Sequence, residues 1–208
     1  KIRHYSGPVD ERDLVATIEA TQRAQTAGLQ RGIEACRLRR EGSGHRHPCG
    51  GVAFWQFNEP WPAVTWAVVD RHGRPKDAHA MLCRSYQPLL IAARFGWRRW
   101  RPGETFKAEI WWVNDGHESF EGCVVKATLD EEVVLAVGDL TIHPLAAQLA
   151  GSFAVSLAAR PSKLGLVLFD NERVIASNCY DLGVYQPPRQ TVWSWLLRRS
   201  ADLMLRIG

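Results

Sequence analysis

An α/β segment followed by an all-β sandwich is the fold class the sequence predicts, and three observations predict it. Residues 10–40 repeat apolar side chains at helical spacing. A continuously apolar run, Gly50 to Phe57, lies between that helix and a second helical stretch. Beyond Leu89 the period drops to two and turn residues recur. Composition agrees, since 46% of the 208 residues are hydrophobic and 23% charged, enough apolar surface to offset the entropy of ordering. No uncharged apolar run approaches the ~18 residues of a membrane-crossing helix, and no charged-then-apolar leader opens the chain. No membrane partner is expected.

The elements follow in order. Asp10 or Asp13 caps a helix running to about Arg40, with Leu14, Ile18, Leu29, Ile33 and Cys36 on its apolar positions. A Gly- and His-rich loop, Gly42 to Pro48, comes next. Gly50 to Phe57 reads as a strand buried on both faces, ended by the two prolines of Asn58-Glu59-Pro60-Trp61-Pro62. A second helix fits Lys76 to Tyr86. Then Phe106, Ala108, Ile110 and Trp112 alternate with Lys107, Glu109, Trp111 and Val113 before the turn Asn114-Asp115-Gly116. Short runs recur at Cys123–Leu129, Val133–Val137, Phe153–Ala158, Leu164–Phe169 and Val174–Ser177, the signature of an immunoglobulin-like sandwich. Val192 to Ile207 is amphipathic and predicts a terminal helix.

A lone parallel-type strand between two helices needs sheet neighbours on both edges. The first third therefore reads as the tail of something larger, in keeping with Lys1 where a methionine would start a chain. The expected division is 1–88 for this tail, 89–188 for the sandwich and 189–208 for the last helix.

Net charge is +4, with the excess in the first 95 residues. The arginines Arg31, Arg37, Arg39, Arg40, Arg71 and Arg74 are scattered and lack interleaved stacking aromatics, so no nucleic-acid partner is expected. Five cysteines without CxxC spacing predict free, mostly buried thiols. His45, His47 and Cys49 are metal-ligand types, but no fourth ligand is nearby and no metal or cofactor is expected. No GxSxG, phosphate-loop or dinucleotide fingerprint occurs.

The segment from Gly50 to Lys76 carries a resemblance. Gly50-Gly51-Val52-Ala53-Phe54-Trp55-Gln56-Phe57-Asn58-Glu59-Pro60-Trp61-Pro62, then Thr65-Trp66 and Asp70-Arg71-His72-Gly73-Arg74-Pro75-Lys76, resembles the last barrel strand of glycoside hydrolase family 2, β-mannosidase-like members. Their motif reads roughly W-Q-x-N-D-x-W-P, S-W, D-x-x-G-x-x-K, and Glu59 stands where the family usually has Asp. Gln22, Gln25 and Ile33 to Arg37 extend the likeness upstream; Arg101 to Glu104, Val113 to Asp115 and Ala176 to Leu182 extend it through the sandwich.

The resemblance implies that residues 1–88 are the last helix–strand–helix of a (β/α)8 TIM barrel, where strand ends face the active site. Since a whole barrel takes roughly 250 residues, the remainder of the barrel domain is the implied partner. It further implies that Trp55, Asn58, Glu59 and Trp61 bind substrate, a β-linked oligosaccharide or glycoside. Trp55 is a sugar platform or, failing that, barrel-core filler, and the same two readings stay open for Trp61. Trp66 and Lys76 are expected to hold the loop and helix. A retaining glycosidase needs a nucleophile and an acid/base carboxyl roughly 5–5.5 Å apart. In the family both are glutamates on the fourth and seventh strands, which precede this segment, so the expected catalytic set here is none. Asn58-Glu59 also looks like an acid/base strand, but four further strand–helix units should then follow, and a sandwich follows instead. Glu59 therefore reads as a loop carboxylate. The alternative function is a non-catalytic carbohydrate-binding or interaction module using Trp97, Trp100, Trp111 and Trp112 of the sandwich.

Overall fold

The computed structural model describes residues 9–10, 12–40, 44, 47–158 and 162–183. The helix expected at 192–207 lies outside the described residues.

Helix α1 spans Leu14–Arg37, and Asp13 caps it by accepting a hydrogen bond from the Ala16 amide at 3.0 Å. Its C-terminal half buries Gln30, Ile33, Glu34 and Arg37, whereas Leu14 and Val15 in the first turn are 71% and 66% exposed. Helix α2 spans Asp77–Ser85. Ile33 packs with Val68, Val69, Ala78, Met81 and Leu82 to form a small core between the two helices and the loop that joins them.

Seven strands follow: β1 Leu89–Arg94, β2 Thr105–Asn114, β3 Phe120–Leu129, β4 Glu132–Ile142, β5 Ala146–Ser156, β6 Ser162–Asp170 and β7 Arg173–Leu182. They form an antiparallel sheet β1-β2-β5 facing an antiparallel sheet β4-β3-β6-β7. This is the pairing of an immunoglobulin-like sandwich whose fourth strand has joined the second sheet. Between the sheets lie Phe106, Ile110, Trp112, Val125, Leu166 and Leu168. β1 was not anticipated, because Leu89 to Ala93 is continuously apolar and shows no alternation. Both of its faces are covered, so both must be apolar.

The same cover explains Trp111. Period two sends it away from Trp112, onto the outer face of the sheet. There it is buried with Leu38, the residue following α1, together with Leu90, Ala92, Val113 and Ala147. The helix end thus makes the outer face of β1-β2-β5 a second interior.

One expectation fails. Gly50 to Phe57 is irregular, with bends at Trp55 and Phe57, and forms no strand. Among the described residues its main chain is met near its ends, where the Cys49 thiol donates to the Gly51 carbonyl, the Tyr86 hydroxyl to the Val52 carbonyl and the Val68 and Val69 amides to the Phe57 carbonyl. A strand exists only as part of a ladder, and no other strand among the described residues lies beside this run. The TIM barrel itself is accordingly absent from the described fold, which is mostly β-sheet with two helices. The thiols also differ from expectation. All five cysteines are free, but only Cys123 is buried and Cys83 is exposed.

Two polar anchors join α1 to the sandwich. Glu34, 2% exposed, accepts hydrogen bonds from Tyr180 Oη at 2.7 Å, Asn178 Nδ2 at 2.7 Å and Gln30 Nε2 at 3.1 Å. Tyr180 Oη also accepts from the Ala93 amide at 2.8 Å, and Asn178 donates to the Ile91 carbonyl at 2.9 Å. The helix is thereby tied to β7 and β1 at once. One turn on, Arg37 donates to the Ser85 carbonyl at the end of α2, to the Pro88 carbonyl and to Asp115, which also pairs with Arg40.

Burial pushes the Glu34 carboxyl up to about 7, against the opposing pull of its hydrogen bonds from Asn178, Tyr180 and Gln30 and of the Arg37 charge. The folded state thus holds this proton where the unfolded chain has released it. Glu34's contribution to stability is complete below about pH 4.5 and is lost as pH rises through about 7. The denaturation midpoint is expected to fall between pH 5 and pH 8, by up to about 3 kcal/mol in unfolding free energy. Urea titrations of the wild type and of Glu34→Gln check this; the variant should lose the slope. Hydrogen exchange supplies a second check. The amides of Phe106 to Trp112 should exchange slowly and those of Val52 to Gln56 fast, because only the former lie in a ladder. Equal protection of both segments would mean that the 52–57 run has found strand partners.

Candidate functional site

Asn58 to Lys76 folds into a loop held from within. Asn58 bridges Val69, which in turn bridges Pro75. The Glu59 amide donates to the Val69 carbonyl at 3.1 Å, and the Lys76 amide to the Val68 carbonyl at 2.9 Å. Asp70 shapes the tip, its Oδ1 accepting from the His72 and Arg74 amides, both at 2.8 Å. Those amides hold its carboxyl below the usual range, the Arg74 bond contributing most. Gly73 supplies the positive φ of 76° that closes the turn.

The loop is hung on α1 by two glutamines that sequence reasoning noted only as part of the resemblance. Gln25 Nε2 donates to the Trp66 carbonyl at 2.6 Å and the Ala67 carbonyl at 3.2 Å. Gln22 Oε1 accepts from the Asp77 amide at 3.4 Å, the first residue of α2, whose own N-cap Lys76 offers no side-chain acceptor.

Glu59 is 7% exposed and is held by Lys76 Nζ at 2.5 Å and Thr65 Oγ1 at 2.7 Å. The Lys76 hydrogen bond, then that of Thr65, keep its carboxyl below the ordinary glutamate range. A carboxylate kept ionised in this way is ill suited to donate a proton, since a general acid needs its pKa raised. It ties the loop entrance to the start of α2. Lys76 is thus a loop-holding residue, as expected.

The tryptophans divide sharply. Trp55, Trp61 and Trp66 are 77%, 65% and 63% exposed, and Phe57 and Val64 beside them are exposed too. The sandwich tryptophans Trp100, Trp111 and Trp112 are buried, and the half-buried Trp97 is stacked on Phe95. The sandwich therefore presents no row of exposed tryptophan rings, which removes the basis for reading it as a carbohydrate-binding module.

Between α1 and the loop runs an open groove of about 1210 Å³. Trp55, Glu59, Thr65 and Trp66 border it on the loop side, Gln22 and Gln25 on the helix side. Of the four residues expected to bind substrate, Trp55 and Glu59 are thus brought to one groove, while Asn58 and Trp61 are exposed on the same loop outside its lining. Trp66 was expected to be only structural. Its carbonyl does anchor the loop, but its ring lines the groove. Its exposure has no signal in the local sequence, because it depends on which side of the loop α1 occupies.

Among the described residues no group of three or more His, Cys, Asp or Glu is placed to hold a metal ion. His47 is exposed and the Cys49 thiol donates to the Gly51 carbonyl, while His45 lies outside the described residues. No helix among the described residues is long and apolar enough to cross a membrane.

No family model matches the chain. Among curated proteins it is similar to beta-mannosidase B of Aspergillus fumigatus, 31% identical over 136 residues, which is 63% of this chain and 16% of that protein. The chain therefore spans about a sixth of the length of the curated relatives it matches. Its fold is similar to that of Amycolatopsis orientalis exo-chitosanase CsxA, with a TM-score of 0.70 at 17% identity over 89% of this chain and 21% of that one. It is also similar to the beta-D-mannosidase of Dictyoglomus thermophilum, with a TM-score of 0.66 at 19% identity over 88% and 21%. These likenesses in sequence and fold support the resemblance of this chain to the C-terminal part of the β-mannosidase-like enzymes of glycoside hydrolase family 2.

Proposed function

We propose that the chain serves as the C-terminal part of a retaining, exo-acting glycoside hydrolase that cleaves terminal β-linked sugars in the manner of a β-mannosidase. In this reading residues 1–88 complete the last helix–strand–helix of a TIM barrel and 89–188 form its immunoglobulin-like companion, while the helix expected at 189–208 lies outside the described residues. Trp55, Asn58, Glu59 and Trp61 contribute one wall of the sugar pocket, and the remainder of the barrel supplies both catalytic carboxylates. The observation that carries it is the set of exposed aromatic rings on the 55–66 loop beside an open groove. An aromatic face in water is costly unless something covers it, and a sugar ring presents an apolar C–H face to an aromatic plane.

The exposed apolar side chains at the start of α1 support the same reading. Leu14, Val15 and Ile18 stand at helical spacing with no core beneath them among the described residues. The unpaired 50–57 run offers its main chain to neighbouring strands on either side. Both are what a barrel segment looks like without its neighbours. The beta-mannosidase B relatives are glycoside hydrolases by name, and the CsxA structures include complexes with PNP-β-D-glucosamine, so a β-linked glycoside is the proposed substrate class.

Hydrolysis with retention requires a nucleophile and an acid/base at fixed separation. Glu59, engaged by Lys76 and Thr65, is proposed to orient the loop rather than to transfer a proton. The 208-residue chain alone is expected to release no nitrophenol from an aryl β-mannoside. Turnover that disappears in Glu59→Gln would overturn that assignment. In the enzyme assembled with the rest of its barrel, Trp55→Ala should lower kcat/KM about tenfold or more, from the lost aromatic contact area. The same substitution should move the stability of the isolated chain by less than about 0.5 kcal/mol, because an exposed ring supports no core. Unchanged kinetics in the folded variant would exclude the platform role.

A further inference from the structure

Away from the groove, a slot of about 270 Å³ opens between the C-terminal half of α1 and the end of β1. Arg31 borders it from the helix, Arg39 from the turn that follows the helix and Arg94 from the strand, and Leu38, Phe95 and Trp97 form its apolar walls. The Trp97 wall is braced. Its ring stacks on Phe95 at 5.0 Å with 16° between planes and meets Tyr180 edge-on at 5.9 Å.

The charges in the slot are unequally committed. Arg94 pairs with Glu109 and lies over the Trp111 ring, 4.9 Å from its centroid. Glu34 also borders the slot, but its oxygens are taken up by Tyr180, Asn178 and Gln30. Among the described residues no acidic side chain pairs with Arg31 or Arg39. Two arginines without an acidic partner thus border a concave surface that already has a braced aromatic wall.

We propose that this slot binds a single-ring carboxylate, its ring against Trp97 and Leu38 and its carboxylate held by Arg31 and Arg39. Guanidinium groups present paired N–H donors that match a planar carboxylate, and charge-assisted bonds of this kind are the strong ones. The volume suits one ring and no more, being at the lower limit of small-molecule pockets. The site is separate from the 55–66 loop and does not depend on the proposed glycosidase reading.

The test uses the 208-residue chain with glucuronate and benzoate as probes, glucose as the uncharged control and inorganic phosphate as the ringless anion. Binding is followed by the Trp97 indole N–H resonance, assigned with Trp97→Phe. Saturable shifts are expected with glucuronate, benzoate or both, and which one binds tells a sugar acid from an aromatic acid. Arg31→Ala and Arg39→Ala should each weaken binding about tenfold, the value of one charge-assisted hydrogen bond. Both side chains are exposed, so the variants should keep the wild-type melting curve. Arg39→Lys should restore only part of the affinity, because an ammonium cannot reproduce the fork. The proposal is overturned if glucose shifts the resonance as strongly as glucuronate, or if phosphate binds as tightly as both carboxylates. It is also overturned if neither carboxylate binds the folded chain.

Discussion

The arrangement depends on a carboxylate that has been taken out of water. Glu34 occupies the interface between α1 and the sandwich, and its acceptor oxygens are met by donors from α1 itself and from β7. Removing the Tyr180 hydroxyl leaves the buried Oε2 of Glu34 without its hydrogen bond, which costs about 1–3 kcal/mol, more for a charge. The network therefore admits one placement of the helix. Tyr180 and Asn178 lie two apart on β7, on the same face, so their spacing fixes where along the strand Glu34 can dock. Arg37, one turn further, reads a second set of marks at Ser85, Pro88 and Asp115.

From that fixed helix the rest follows outward. Leu38 closes over Trp111 and turns the outer sheet face into an interior. Ile33 seats the small core that includes α2 and the Val68–Val69 segment. Gln25 and Gln22, further toward the N-terminus, hold the loop carbonyls and the start of α2. The aromatic loop is thus positioned by a chain of contacts whose far end is on β7. The two ends of α1 contrast because one has a sandwich to pack on and the other, within the described residues, has none.

Glu59 and Glu34 illustrate how environment sets the use of a carboxyl. Both are buried, yet Lys76 beside Glu59 supplies a full positive charge and a direct hydrogen bond, keeping it ionised. Around Glu34 most donors are neutral and burial wins, so its proton affinity rises. The first is a fixed charge that ties a loop to a helix; the second is a pH-dependent joint. Neither role shows in the residue type.

Some of this was legible in the sequence alone. Periodicity placed α1, with Asp10 or Asp13 as its cap, α2 and the alternating strands from Phe106 onward, because those elements bury one face and repeat at 3.6 or 2. The loop motif from Trp55 to Lys76 and its relationship to β-mannosidase-like enzymes were also readable, since that segment's residues are spaced in fixed order along the chain. Tertiary structure decided what depended on a neighbour. Gly50 to Phe57 has the composition of a buried strand, but a ladder needs a second strand and none among the described residues stands beside it. β1 went unread because burial on both faces removes alternation. The exposure of Trp66, the burial of Trp111 and the proton affinity of Glu34 were set by the docking of α1. Local sequence encodes a residue's chemistry and its period, whereas the surface it meets comes from contacts as distant as Glu34 and Tyr180, which only folding brings together.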